Sequence, residues 1–219
     1  YRVFSFAIYI FFQQIFNSIM KPKMQSYDRI ATVFDFLRAG DMRRWNSHQK
    51  LLFENLSGNV LYVGIGTGLE IVNFPPNLNI SAIDLSFQML KRSGNRIQKY
   101  PGKINRYQMD TETTAFRENT FDTIVTVCVL CTVKNPNVCL KEIKRVLKPE
   151  GKLIMFEHVL SKNPVYALTL KTMSIFTEKL EGTYLDRQTV ENAEKTGFEI
   201  VSHKNVYLDI VKALIAKPV

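Results

Sequence analysis

Cysteine is scarce in this chain of 219 residues: Cys128, Cys131 and Cys139 are all there is, and they lie within twelve positions of one another. An odd, clustered set in an intracellular-looking domain builds no disulfide framework, so the fold must rest on its core. Histidine is as rare. His48, His158 and His203 stand far apart, no second Cys/His cluster accompanies them, and no metal site is expected. Ten glycines and eight prolines, without an internal repeat or low-complexity tract, exclude a collagen-like chain; 46% hydrophobic and 22% charged residues exclude disorder. The length fits one domain with at most an appendage, able to bury roughly 70% of its unfolded surface. Acidic residues are in deficit, 20 against 29 Lys and Arg, for a formal net charge of +9. Such a surface meets nucleic acid, an anionic membrane or only solvent.

A long apolar run occurs only at the beginning. Residues 1–20 are rich in Phe, Ile, Val and Tyr; Gln13, Gln14, Asn17 and Ser18 interrupt the run and Lys21-Pro22-Lys23 closes it. It falls short of the ~20 mostly apolar residues of a spanning helix, and it has no small-residue cleavage site of a signal peptide. The segment is expected to form an apolar or amphipathic helix that lies in a membrane interface or covers the domain. Tyr1 in place of Met marks a trimmed, processed or partial chain, which leaves a truncated membrane anchor as a third reading.

The next segments read as helices over 27–37, with Ile30, Val33, Phe34 and Leu37 on one face and Gly40 as the stop, and over 43–56. After Gly58-Asn59, short apolar runs alternate with helical patterns. Strands are predicted at 60–63, 79–83, 104–109, 120–129 and 152–156. Helices are predicted at 86–99 (capped by Ser86), 136–147 (Pro136 in its first turn), 163–180 and 186–196 (stopped by Gly197). Residues 148–151 read as a turn, and 198–203 with 207–216 as a closing antiparallel pair. This alternation implies a parallel sheet wound on both faces, which binds ligands beyond the carboxyl ends of its strands where the winding reverses.

Polar features stand at those strand ends. Gly64-Ile65-Gly66-Thr67-Gly68 follows the first strand, and glycine there lets the backbone turn sharply and approach a ligand. The spacing is not the dinucleotide G-x-G-x-x-G. Asp84, twenty residues after Gly64, is placed to accept both hydroxyls of a ribose. Asp110, ending the third strand, is placed to accept from an exocyclic amine such as that of adenine.

With Leu61-Tyr62-Val63 before the glycines, Thr111-Glu112, Asn119-Thr120-Phe121-Asp122-Thr123-Ile124, and the run from Leu140-Lys141-Glu142 to Lys148-Pro149-Glu150-Gly151, the chain resembles the class I S-adenosylmethionine-dependent methyltransferases over roughly residues 27–216. Leu130-Cys131-Thr132-Val133-Lys134-Asn135 and Glu157-His158-Val159 resemble the thiol methyltransferase (methyltransferase-like 7) group and the bacterial phospholipid N-methyltransferases with their quinone-methylating relatives; Tyr27-Asp28-Arg29-Ile30-Ala31 resembles the start segment of the latter. The resemblance implies a seven-stranded, mostly parallel, Rossmann-like α/β sheet with helices on both faces and an N-terminal helical lid. Its division would be apolar N-terminal helices over 1–40 and the methyltransferase domain over 41–219. It implies S-adenosylmethionine as cofactor, S-adenosylhomocysteine as product, and cofactor contacts at Gly64, Gly66, Thr67, Gly68, Asp84, Leu85, Asp110, Thr111, Cys128 and Val129. One departure stands out: the family usually carries an acid two residues before the first glycine, to help hold the cofactor's methionine amino group, and here that residue is Tyr62.

His158, following the fifth strand, is the candidate base because an imidazole titrates near neutral pH. Tyr27 is a candidate hydroxyl contact to acceptor or cofactor. Cys131 has no base beside it in sequence and reads as a buried small residue. The segment 167–184, with Leu168, Leu170, Met173, Ile175, Phe176 and Tyr184, is expected to roof the pocket beside the N-terminal helices and to favour a small-molecule or lipid-like acceptor. Of two basic stretches, one gathers Arg92, Arg96, Lys99, Lys103 and Arg106; the other, Lys141, Lys144, Arg145, Lys148 and Lys152, reads as a solvated helix face. Nucleic acid is disfavoured, since no Asn/Asp-Pro-Pro-aromatic motif and no aromatic–basic interleaving is present. The sequence reading is therefore phospholipid (phosphatidylethanolamine) N-methylation by a cytoplasmic, peripheral membrane protein. Thiol or quinone methylation, or cofactor binding without turnover, are the alternatives, and the oligomeric state is open.

Overall fold

The computed structural model describes residues 26–219. The apolar segment 1–20 and its membrane or lid role lie outside the described residues. Two helices come first, α1 (Ser26–Ile30) and α2 (Phe34–Phe53). The sheet follows: β1 (Asn59–Val63), β2 (Asn79–Asp84), α3 (Phe87–Gln98), β3 (Lys103–Gln108), β4 (Phe121–Val127), α4 (Pro136–Val146), β5 (Leu147–His158), α5 (Pro164–Glu181), α6 (Thr189–Lys195), β6 (Phe198–Tyr207) and β7 (Val211–Pro218). The strands lie in the order β3-β2-β1-β4-β5-β7-β6. All neighbours are parallel except β7, which runs antiparallel to β5 and β6. The winding reverses between β1 and β4, so a crevice opens beyond their carboxyl ends.

Alternation along the central strands explains the layers. In β1, Val60 and Tyr62 join Trp45, Phe53, Phe74, Val125, Ile154 and Phe156 on one face. Leu61 and Val63 join Ile124, Leu140, Ile143, Leu153, Met155 and Leu214 on the other. Strands buried on both faces read as unbroken apolar runs. Ser86 caps α3 by accepting from the Met89 amide at 3.2 Å, and Asn135 and Asn163 cap α4 and α5, each with proline in the first turn.

Two boundary readings are corrected. Gly40 ends no helix: α2 runs through it, because Leu37, Trp45, Gln49, Leu52 and Phe53 form one buried stripe that outweighs the ~1 kcal/mol cost of an interior glycine. The break falls earlier instead, in a turn at residues 31–33. The turn at 148–151 is absorbed into β5 as a bulge: β4 advances from Phe121 to Thr123 while β5 advances from Leu147 to Lys152.

Helix α2 is fastened to the sheet by Phe53, fully buried and edge-on to Phe74 at 4.9 Å between ring centroids. Phe53→Ala is expected to lower unfolding free energy by about 3–5 kcal/mol, read as a reduced urea midpoint with an unchanged m-value.

Candidate functional site

The crevice holds a cavity of about 540 Å³, within the size range of cofactor and ligand sites. Its floor is the loop after β1. Gly64, Gly66 and Gly68 take φ of +66°, +55° and +78°, a region that disfavours side chains. A Cβ on Gly64 would stand 2.5 Å from Val129 Cγ2, whereas one on Gly66 would meet only Phe34, at 3.9 Å. Gly66 thus turns an open backbone face to the cavity.

Asp84, at the end of β2, organises this floor. Its two oxygens accept from the Gly66 and Ser86 amides, each at 2.8 Å. Burial raises its pKa, and Asp28 of α1 adds to the rise; the two amides oppose it. Asp28 itself accepts from the Ser86 hydroxyl and from the Gln88 amide at 3.3 Å. Leu85, exposed, and Asp110, Thr111 and Glu112 continue the wall.

The opposite wall is the loop after β4. Cys128 adopts φ +52°, rare for a residue with a side chain. The loop is held from β5: Glu157, fully buried, accepts from the Thr126 hydroxyl at 2.8 Å and from the Val129 and Leu130 amides at 3.0 and 3.2 Å. Burial nevertheless pushes the Glu157 carboxyl up to about 7. His158 follows it on the cavity wall.

The N-terminal helices close the site. Tyr27 lines it and shares a hydrogen bond with Thr183 at 3.3 Å. From α2, Arg38 reaches the Cys128 sulfur at 3.8 Å and Asp41 at 3.3 Å. Asp35 accepts from the Thr67 hydroxyl at 2.5 Å and pairs with Arg96 at 2.7 Å, and Arg96 also donates to the Thr67 carbonyl at 3.0 Å. Among the described residues no helix is long and apolar enough to cross a membrane.

Residues 61–155 match the family model described as a methyltransferase domain. The chain is 29% identical over 180 residues to a thiol S-methyltransferase of Rattus norvegicus, covering 75% of this chain and 73% of the relative. It is 30% identical over 126 residues to a phosphatidylethanolamine N-methyltransferase of Cereibacter sphaeroides, covering 56% and 62%. A ubiquinone/menaquinone biosynthesis C-methyltransferase of Syntrophotalea carbinolica is 30% identical over 150 residues, with 64% and 63% covered. In fold, an S-adenosylmethionine-dependent methyltransferase of Thermotoga maritima superposes with a TM-score of 0.66 at 17% identity, covering 88% of this chain and 97% of that one.

The chain is an S-adenosylmethionine-dependent methyltransferase. The cavity fits such a cofactor: a glycine-rich loop offers backbone at Gly64 and Gly66, a carboxylate ends the second strand, and another polar cluster follows the third. Of the expected contact residues, Gly64, Gly66, Asp84, Leu85, Asp110, Thr111, Cys128 and Val129 line the cavity, and so do His158 and Tyr27. Thr67 and Gly68 do not. The Thr67 hydroxyl is engaged with Asp35, and Gly68 is required for its own backbone, where a Cβ would stand 2.8 Å from Ile71 Cδ1.

Two further expectations change. His158 does not titrate near neutral pH: burial and the Arg38 charge push it down to about 4, so the imidazole is neutral and a weak base. Of the expected roof, Leu168, Ile175 and Phe176 face outward, 69%, 55% and 59% exposed, while α5 and its continuation line the cavity with Thr177, Gly182, Thr183 and Leu185. The helical period puts the former on the outer side of α5. Arg38, Asp41, Glu70 and Glu157 were not anticipated. Glu157 had a signal, a lone acid ending an apolar strand; Arg38 and Asp41 were hidden by the break read at Gly40.

Two predictions follow from this geometry. Gly64→Ala strains a left-handed backbone and drives a methyl into Val129, so it is expected to cost about 1–3 kcal/mol and to weaken S-adenosylhomocysteine binding by calorimetry at least tenfold. Glu157 and His158 oppose each other in pH dependence. With a folded pKa of about 7 against 4.5, Glu157 binds extra protons in the native state, and stability falls as pH rises through that window. With about 4 against 6.5, His158 binds fewer, and stability rises with pH. Between pH 4.5 and 6.5 the two cancel. Glu157→Gln should leave stability that drops on acidification below 6.5, and His158→Gln stability that drops as pH rises toward 7, each by on the order of 3 kcal/mol in urea titrations; identical profiles in all three proteins would contradict this.

Proposed function

We propose that this methyltransferase acts on the sulfur of a small apolar thiol. The observation that carries the reading is Arg38: a cation at the cavity wall, already hydrogen-bonded to one sulfur, that of Cys128, opposite a His158 too weakly basic to deprotonate an ammonium. Burial pushes the Cys128 thiol itself up to about 12 while Arg38 pulls it the other way; an acceptor thiol, with a pKa near 8.5 in water, is drawn toward its thiolate by the same guanidinium to the extent that it stays hydrated. The same charge repels a protonated amine. S-adenosylmethionine, when bound, would supply a methyl group carried on a positive sulfonium. The protein's part is positioning. Asp84 has acceptor capacity for the ribose hydroxyls, and Asp110 with the Thr111 backbone for adenine. Gly66 lets the chain approach, and Cys128 with Val129 holds the sulfonium end. Tyr27 and Thr183 close the acceptor side.

A second reading, transfer to the amine of a membrane phospholipid, is favoured by the outer face of α5. There Val165, Leu168, Ile175 and Phe176 stand exposed beside Lys171 and Lys179, a pattern that suits an anionic interface. A screen with radiolabelled S-adenosylmethionine over an alkyl thiol, phosphatidylethanolamine vesicles and a quinol separates them. The thiol is expected to be methylated, with Arg38→Gln lowering the rate about 10- to 100-fold and moving its pH dependence upward. Labelled phospholipid with unlabelled thiol would establish the second reading instead.

A further inference from the structure

The position that carries an acid in related enzymes is Tyr62, and the structure shows where its hydroxyl goes. Tyr62 is 1% exposed, packed against Phe74 at 5.1 Å between ring centroids. It donates to Glu70 Oε2 at 2.9 Å. Burial and the Glu70 charge hold the phenol well above its usual pKa, so it stays a donor. Glu70 lies in the 3-10 turn Leu69–Asn73, directly after the glycine loop, and lines the cavity although it is only 8% exposed.

A carboxylate so nearly buried is costly unless its acceptor sites are filled. Among the described residues, Tyr62 is its one side-chain hydrogen-bond partner and Oε1 receives none. Of the cations lining the cavity, Arg38 is bonded to Cys128 and Asp41 and feels the Glu70 charge only through space, and no ion pair joins Glu70 to Lys134 among the described residues. Asp84 already accepts one amide on each oxygen, whereas Glu70, directly after the glycine loop, keeps one oxygen that receives no hydrogen bond among the described residues.

We propose that Glu70, oriented by the Tyr62 hydroxyl, binds the α-ammonium group of the cofactor's methionine moiety. The carboxylate would then come from the turn behind the glycine loop, eight residues after the tyrosine whose hydroxyl aims it. This inference rests on S-adenosylmethionine being the cofactor, and it concerns binding alone.

The test compares two ligands by calorimetry: S-adenosylhomocysteine, which carries the amino-acid moiety, and 5′-methylthioadenosine, which lacks it. Glu70→Gln is expected to weaken S-adenosylhomocysteine about 10- to 100-fold, the range for a charge-assisted hydrogen bond, and to leave 5′-methylthioadenosine unchanged. Tyr62→Phe should show the same selectivity at smaller size. Equal weakening of both ligands, or of neither, overturns the proposal, the former showing that Glu70 only supports the loop. Thermal melting of the ligand-free variants identifies a folding defect, in which case Glu70→Asp is read in the same way, with an intermediate selective loss expected and an equal or absent loss overturning. If the unaltered protein binds neither ligand, the cofactor assignment fails and not this proposal alone.

Discussion

Two carboxylates, Glu157 fully buried and Asp84 half-buried, hold the crevice open by the same device on either side of the reversal in winding. The inner strands β1 and β4 each run into a loop: the Ile65 and Cys128 amides still pair with the Ile83 and Phe156 carbonyls, and the Gly66, Val129 and Leu130 amides beyond them bond to side chains instead. The outer neighbour of each supplies an acid: Asp84 of β2 accepts from Gly66, and Glu157 of β5 accepts from Val129 and Leu130. Unpaired buried amides would cost on the order of 1–3 kcal/mol each. The left-handed residues Gly64, Gly66 and Cys128 are tolerated because these bonds over-determine the backbone. The shape of the cavity is thus a consequence of where three loop amides, Gly66, Val129 and Leu130, find their acceptors.

This explains which parts of the molecule could be read from the sequence. The sheet, its order of elements and the strand-end positions of Gly64, Asp84 and Asp110 are local signals: runs, turns and caps. Residues whose role depends on a distant partner were not legible. Thr67 looked like a ligand contact, yet its hydroxyl meets Asp35, 32 positions earlier. Glu70 carried no local sign of facing the cavity. The outward face of α5 was read as a roof, because an apolar helix segment does not reveal which side meets the core until its neighbours are known.

Charge shows the same division. The formal +9 treats every base as available, but many have local work. Arg96 clasps Asp35, Arg145 pairs with Glu142 at 2.7 Å and Lys148 with Asp122 at 2.6 Å. Arg106 donates to the Leu90 carbonyl and Arg92 to the Thr32 hydroxyl at 2.9 Å. Much of both basic stretches therefore ties loops and helices together, which leaves the net charge unchanged but holds those side chains in place by bonds within the chain.

The contact between Tyr27 and Thr183 spans 156 positions of sequence. The mouth of the cavity is consequently made from the two segments that the chain can bring together only after the sheet has formed. Loop-closure entropy makes such contacts late to form and early to open. An occupant touching both sides acts as a clamp across nearly the whole described chain, so that the empty and filled proteins differ most at α1 and at the end of α5, far from the rigid strands that define the fold.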